Sequence, residues 1–171
     1  NSTRSGIFDM NQGLAYSVNT YFVGLEELTG LCRPAEIAEK LGVRTGKGQP
    51  LERVPSFTLG TAPVTPLMMA SAVSVFANHG THCPTKVISQ IETRDQEEIP
   101  LSKIVCSSVV DPGTADTAAQ MLTNVIDGSI EGRTGARMSL GRPAGGKTGT
   151  TNDSAAVWFV GFTPDISAAV W

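Results

Sequence analysis

Gly145-Gly146-Lys147-Thr148-Gly149-Thr150-Thr151 admits two readings, and the choice between them decides the fold. With Gly141-Arg142-Pro143-Ala144 in front, the string 141–148 matches G-x-x-x-x-G-K-[ST], the phosphate-cradling loop, letter for letter. That loop needs a buried strand before it and a helix after it, because the helix N-terminus supplies the free N–H groups and the dipole. Neither flank fits. Glu131-Gly132-Arg133-Thr134-Gly135-Ala136-Arg137 upstream is no buried strand, and downstream the chain runs through Gly149 and a Thr/Asn/Asp stretch into Val157-Trp158-Phe159-Val160-Gly161-Phe162. The stretch therefore reads as a strand, 145–150, followed by a second, 155–162. Thr163-Pro164-Asp165 turns into a third, ending in Ile166-Ser167-Ala168-Ala169-Val170-Trp171. A P-loop nucleotide-binding protein stays only as a remote alternative.

Ahead of this meander the periodicity is helical. Asp9 with Gln12 forms a capping-box pattern, and Leu14, Val18, Phe22, Leu25 and Leu28 recur at three- and four-residue steps up to Gly30, predicting one helix. Pro34 and Gly42 bracket a short helix with Ile37, Ala38 and Leu41 inside, and residues 43–64 read as a long loop. Thr65-Pro66 and Asp111-Pro112 each place a capping side chain before a proline. The first opens a wide apolar face (Leu67, Met68, Ala70, Ala72, Val75, Phe76) ending near Gly80. The second opens a face of Ala115, Ala118, Ala119, Leu122, Val125 and Ile126 ending at Gly128. Alternation over residues 86–93 predicts an exposed strand, with a charged turn region over 94–103. Helices first and a terminal antiparallel meander give an α+β fold.

Composition fits one globular domain of 171 residues, 40% hydrophobic and 17% charged. That length buries a sizeable core, since about 70% of the unfolded surface disappears at about 150 residues. A net charge of −3 gives no basic footprint, which argues against nucleic acid as a partner. Two histidines and three cysteines without close spacing argue against a metal site. No apolar run reaches the roughly 18 to 20 residues of a membrane helix. The chain begins at Asn1 without Met and ends inside a strand-like run, so the expectation is a piece of a longer chain, truncated at both ends.

Lys147-Thr148-Gly149 carries an ammonium and a hydroxyl that suit a carboxylate, and a glycine that lets another molecule approach the backbone. Far upstream lies Ser17-Val18-Asn19. Lys-Thr-Gly with Ser-x-Asn is two thirds of the signature of penicillin-interacting serine enzymes. The remaining third, Ser-x-x-Lys, is not in this sequence: Ile37, Arg44, Cys83, Pro100 and Ala144 stand three before its lysines. The chain resembles the transpeptidase domain of class A, bifunctional penicillin-binding proteins. The matching stretches are Leu14-Ala15-Tyr16-Ser17-Val18-Asn19-Thr20-Tyr21-Phe22-Val23, Pro55-Ser56-Phe57-Thr58-Leu59-Gly60, and Val64-Thr65-Pro66-Leu67-Met68-Met69-Ala70 with Phe76-Ala77-Asn78-His79-Gly80. Gly146-Lys147-Thr148-Gly149-Thr150-Thr151-Asn152-Asp153 and Trp158-Phe159-Val160-Gly161-Phe162-Thr163-Pro164 complete the set, in order along nearly the whole chain. It departs from the family at Gly128-Ser129-Ile130-Glu131-Gly132, where Gly-Thr-Ala-like residues are commoner.

The resemblance implies a fragment of the penicillin-binding/serine β-lactamase-like fold, a helical cluster packed on an antiparallel sheet. Residues 1–171 would be a partial transpeptidase domain lacking the Ser-x-x-Lys segment and the last sheet strands. It implies a D,D-transpeptidase that cross-links peptidoglycan stem peptides through a serine acyl-enzyme and is the target of β-lactams, with the fragment alone inactive. In that scheme Ser17 is a proton relay to the leaving nitrogen and Lys147 places positive charge beside it. Asn19, Thr148, Gly149 and Thr150 bind substrate, and the Thr150 N–H is one oxyanion-hole donor. No cofactor and no metal are implied. The implied partners are stem peptides, β-lactams and a glycosyltransferase domain in the same intact chain. The implied place is the extracytoplasmic face of the bacterial membrane, reached through an N-terminal anchor outside this chain. A non-catalytic β-lactam sensor or pseudoenzyme is the alternative. Cys83 and Cys106 are placed as in the actinobacterial branch. An extracytoplasmic enzyme suits a disulfide between them, with Cys32 unpaired, against the alternative of three buried thiols.

Overall fold

The computed structural model describes residues 4–171, the Asn152 side chain excepted; Asn1, where the sequence begins, lies outside the described residues. Among the described residues, five helices precede or flank a small sheet: α1 (Met10–Tyr16), α2 (Asn19–Thr29), α3 (Cys32–Lys40), α4 (Pro66–Ala77) and α5 (Pro112–Asp127). A 3₁₀ turn, Pro55–Leu59, interrupts the loop between α3 and α4. The start signals act as the chemistry requires. Asp9 Oδ1 accepts from the Gln12 N–H at 2.8 Å and Gln12 Oε1 from the Asp9 N–H at 3.2 Å, while Thr65 and Asp111 cap α4 and α5 by accepting from Met68 and Thr114 N–H.

The single helix expected from Asp9 to Gly30 is two helices. α1 ends at Ser17, which adopts φ 57 and ψ 51, and its N–H donates to Leu14 O while the Val18 N–H donates to Gly13 O. This is the 6→1 and 5→2 pair of a Schellman end, with a serine where glycine is usual. Val18 is extended and buried, and α2 departs in a new direction from Asn19. Apolar residues keep helical spacing across the elbow, so periodicity alone hides it. Tertiary packing enforces it: a Cβ on Gly13 would lie 2.8 Å from Tyr21 Cδ1, so the two helices meet at a glycine.

β3 (Gly145–Thr150), β4 (Val157–Phe162) and β5 (Ser167–Val170) form an antiparallel sheet in that order, leaving β3 at one edge. Helices α4 and α5 pack against this sheet, α4 over β4 and β5 and α5 over β3, and α1 packs against α5. Val75, Val125 and Ile126 are its largest fully buried side chains. Under the loop of residues 43–64, Val43 and Leu51 form a second apolar cluster with Ala72.

The strand expected over residues 86–93 does not form. Residues 86–93 are irregular apart from a lone bridge between Glu92 and Glu98, and outside them a two-residue ladder pairs β1 (Thr81–His82) with β2 (Ser107–Ser108). A two-stranded ribbon without an apolar layer beneath it is marginal, and Val87 here is 91% exposed. What closes this arm is covalent: Cys83 and Cys106 form a disulfide with Cα atoms 4.2 Å apart, and Cys32 is an exposed free thiol.

Candidate active site

Ser17 and Lys147, 130 residues apart in sequence, meet: Lys147 Nζ donates to Ser17 Oγ at 2.8 Å and to the Thr148 carbonyl at 2.8 Å. The αL turn at the end of α1 presents the serine hydroxyl, and the middle of β3 presents the ammonium. Among the described residues Lys147 has these two acceptors, so one of its three N–H groups remains for a ligand. Burial brings the Lys147 ammonium down from 10.5 to about 8, because a desolvated charge is disfavoured. The group is thus mainly protonated at neutral pH and releases its proton slightly above it, a range suited to proton transfer as well as to anion binding.

The ladder fixes which backbone groups face outward. Thr151 N–H donates to Ala156 O at 3.0 Å and Thr163 N–H to Ile166 O at 2.8 Å, closing the two turns. Counting back along the paired residues, Gly145, Lys147 and Gly149 exchange bonds with Phe162, Val160 and Trp158. Gly146, Thr148 and Thr150 therefore direct their N–H and C=O groups to the open edge. The Thr148 carbonyl reached by Lys147 is one of them. The Thr150 N–H is another, beside an exposed Thr150 side chain.

The glycines of β3 separate into two kinds. A Cβ on Gly145 would lie 2.6 Å from Phe162 Cζ, and one on Gly146 2.6 Å from Phe159 Cζ and 2.9 Å from Val160 O. Those two are glycine because the sheet and its aromatics need the space. At Gly149 the nearest atom to a Cβ is Trp158 Cβ at 3.4 Å, an ordinary contact. The fold leaves room for a side chain at Gly149, so packing within the sheet does not require glycine there.

Asn19 opens α2 two residues beyond Ser17 and is exposed. The string 141–148 ends inside an edge strand, and the chain continues through β3 and a short 3₁₀ turn (Asn152–Ser154) into β4, so no helix N-terminus is offered to a phosphate. Sequence reading missed the supports of the Ser17 turn. The Thr134 N–H donates to Ala15 O at 2.9 Å, and Arg133 donates from Nε to Ile126 O at 3.0 Å and from Nη1 to Ile130 O at 3.3 Å. The only local signal was the Gly132-Arg133-Thr134-Gly135 string, which marks a turn without saying what it touches.

Residues 1–171 match the family model described as penicillin binding protein transpeptidase domain. The chain is 34% identical over 166 residues to penicillin-binding protein 1A of Aquifex aeolicus, covering 97% of this chain and 22% of that protein. It is 33% identical over 174 aligned residues to penicillin-binding protein 1A of Neisseria meningitidis, covering 98% and 21%. The chain thus spans about a fifth of the length of these relatives. Among solved structures, penicillin-binding protein 1A from Haemophilus influenzae superposes with a TM-score of 0.85 at 22% identity, over 96% of this chain and 30% of that one. PonA1 from Mycobacterium tuberculosis in complex with penicillin V gives 0.80 at 21%, over 98% and 48%. The structural likeness shows the same α+β fold.

Proposed function

The chain belongs to the penicillin-binding protein transpeptidase family, and from that premise we propose that it forms the substrate-holding half of a class A D,D-transpeptidase. The enzyme cross-links peptidoglycan stem peptides through a serine acyl-enzyme and is acylated by β-lactams. The observation that carries this reading is the 2.8 Å contact of Lys147 Nζ with Ser17 Oγ beside an open strand edge.

The attacking serine and its partner lysine come from a part of the longer protein outside these 171 residues. As that serine bonds to the D-Ala-D-Ala carbonyl, its hydroxyl proton passes to the partner lysine, the carbonyl–nitrogen bond breaks, and the leaving nitrogen must gain a proton. Ser17 Oγ supplies it and is reprotonated through Lys147 Nζ, the group with which it shares a hydrogen bond. The substrate lies antiparallel along β3, bonded to the outward groups of Thr148 and Thr150, and passes over Gly149 where no side chain obstructs it. Lys147, Thr148 and Thr150 receive its carboxylate, and Asn19 its backbone amide. The Thr150 N–H donates to the developing oxyanion, a contact of a kind that is commonly worth about 2.7 to 4 kcal/mol. The intact protein also carries a glycosyltransferase domain and works at the extracytoplasmic face of the membrane, held by an N-terminal anchor.

Intact mass spectrometry after incubation with a penicillin tests this reading. The full-length protein is expected to gain one penicilloyl group on a serine outside residues 1–171, and the 171-residue chain alone is expected to gain none. Reversible binding by the full-length protein without an adduct would identify a pseudoenzyme instead. An adduct on any residue of this chain would overturn the assignment of Ser17 as a relay.

A further inference from the structure

We infer that Arg133 is a positioning residue that sets the Ser17 hydroxyl within reach of Lys147 while touching neither. The inference rests on the reading of Ser17 and Lys147 as reacting machinery.

The last turn of α1 leaves carbonyls without helical partners. Gly13 and Leu14 are served by the N–H groups of Val18 and Ser17, and this pair of bonds defines the αL turn. Ala15 is fully buried, and its carbonyl is served from outside α1, by the Thr134 N–H at 2.9 Å. Losing that donor strands a buried acceptor next to the turn that presents Ser17. Thr134 belongs to the irregular stretch after α5, where no ladder or helix holds it. Arg133 does. Its Nε donates to the carbonyl of Ile126, in the last turn of α5, and its Nη1 to that of Ile130, so one planar guanidinium closes the loop onto the helix end. The cation also sits at the negative end of the α5 dipole. On the other side of Thr134, Gly135 is buried so tightly on α5 that a Cβ would lie 2.6 Å from Val125 O. Thr134 is thus clamped from both neighbours, and the line from α5 through Arg133, Thr134 and Ala15 ends at Ser17.

The test measures acylation of the full-length protein by a penicillin over a range of concentrations, separating the limiting rate from the dissociation constant of the initial complex. Arg133→Ala is expected to lower the limiting rate about tenfold or more, as small misplacements of reacting groups do, and to leave the dissociation constant within about twofold. Arg133→Lys, which keeps the charge but not the fork, is expected to fall between the two, and it carries the test should the alanine variant fail to fold. Val75→Ala, a cavity in the α4 core, serves as the stability control: it lowers the thermal midpoint and leaves the limiting rate unchanged. A wild-type limiting rate in the Arg133 variants overturns the proposal, as does a loss in Val75→Ala that scales with its stability. A wild-type protein that is not acylated at all overturns the underlying reading of the site, and this proposal with it.

Discussion

Ser17 holds φ 57 and ψ 51, a conformation that costs an L-residue roughly 1 to 2 kcal/mol, and its hydroxyl accepts from Lys147 Nζ. Replacing it by glycine separates the two consequences. Ser17→Gly is expected to raise stability by about 1 kcal/mol in denaturant melts while sharply lowering acylation of the full-length protein. Gly149 and Gly146 make a second contrast. Gly149→Ala meets only Trp158 Cβ at 3.4 Å and is expected to melt like the wild type yet acylate about 10- to 100-fold more slowly, because the methyl stands where substrate must lie. Gly146→Ala meets Phe159 Cζ at 2.6 Å and is expected to lower the melting temperature itself. Lys147 is the third case. Its folded pKa, about 8, lies below the ordinary 10.5, so between those values the unfolded chain binds more protons and stability rises with pH. Lys147→Met is expected to abolish that rise, which stability curves taken from pH 7 to 11 would check, and to be more stable than the wild type at pH 7.

At the scale of elements, capping chemistry was legible because it is local. Asp9, Thr65 and Asp111 start helices in the sequence and in the structure alike, and the β3–β5 meander follows from the β-rich run Val157-Trp158-Phe159-Val160 and its Thr163-Pro164-Asp165 turn. The elbow at Ser17 was not legible, since Leu14, Val18 and Phe22 keep helical spacing across it and the contact that fixes it, Gly13 against Tyr21, is tertiary. Residues 86–93 failed the other way: an alternating pattern formed no strand because nothing apolar lies beneath it. The Cys83–Cys106 bond, closing a separation of 23 residues, does for that arm what packing does elsewhere. Replacing both cysteines with serine is expected to cost about 3 kcal/mol or less in chain-entropy terms, read from chemical denaturation, with acylation unchanged because the arm lies apart from β3.

For the whole molecule, α1 and β3 contribute one partner each to a contact spanning 130 residues, and no periodicity or capping rule brings them together. The family resemblance implied that they are partners; the orientation came from the fold, in which α5 packs against both α1 and β3. Arg133 and Thr134 stayed invisible because a guanidinium bonded to backbone carbonyls leaves no pattern in sequence. In the proposed function Lys147 acts on chemistry at an open strand edge, in contrast to a solvated strand lysine. The most direct measurement is the second-order rate constant for acylation of the full-length protein by a fluorescent penicillin, compared between wild type and Lys147→Ala with the fold checked by circular dichroism. A fall of about a hundredfold or more with an unchanged spectrum is expected. An unchanged rate constant in a folded Lys147→Ala protein would contradict it.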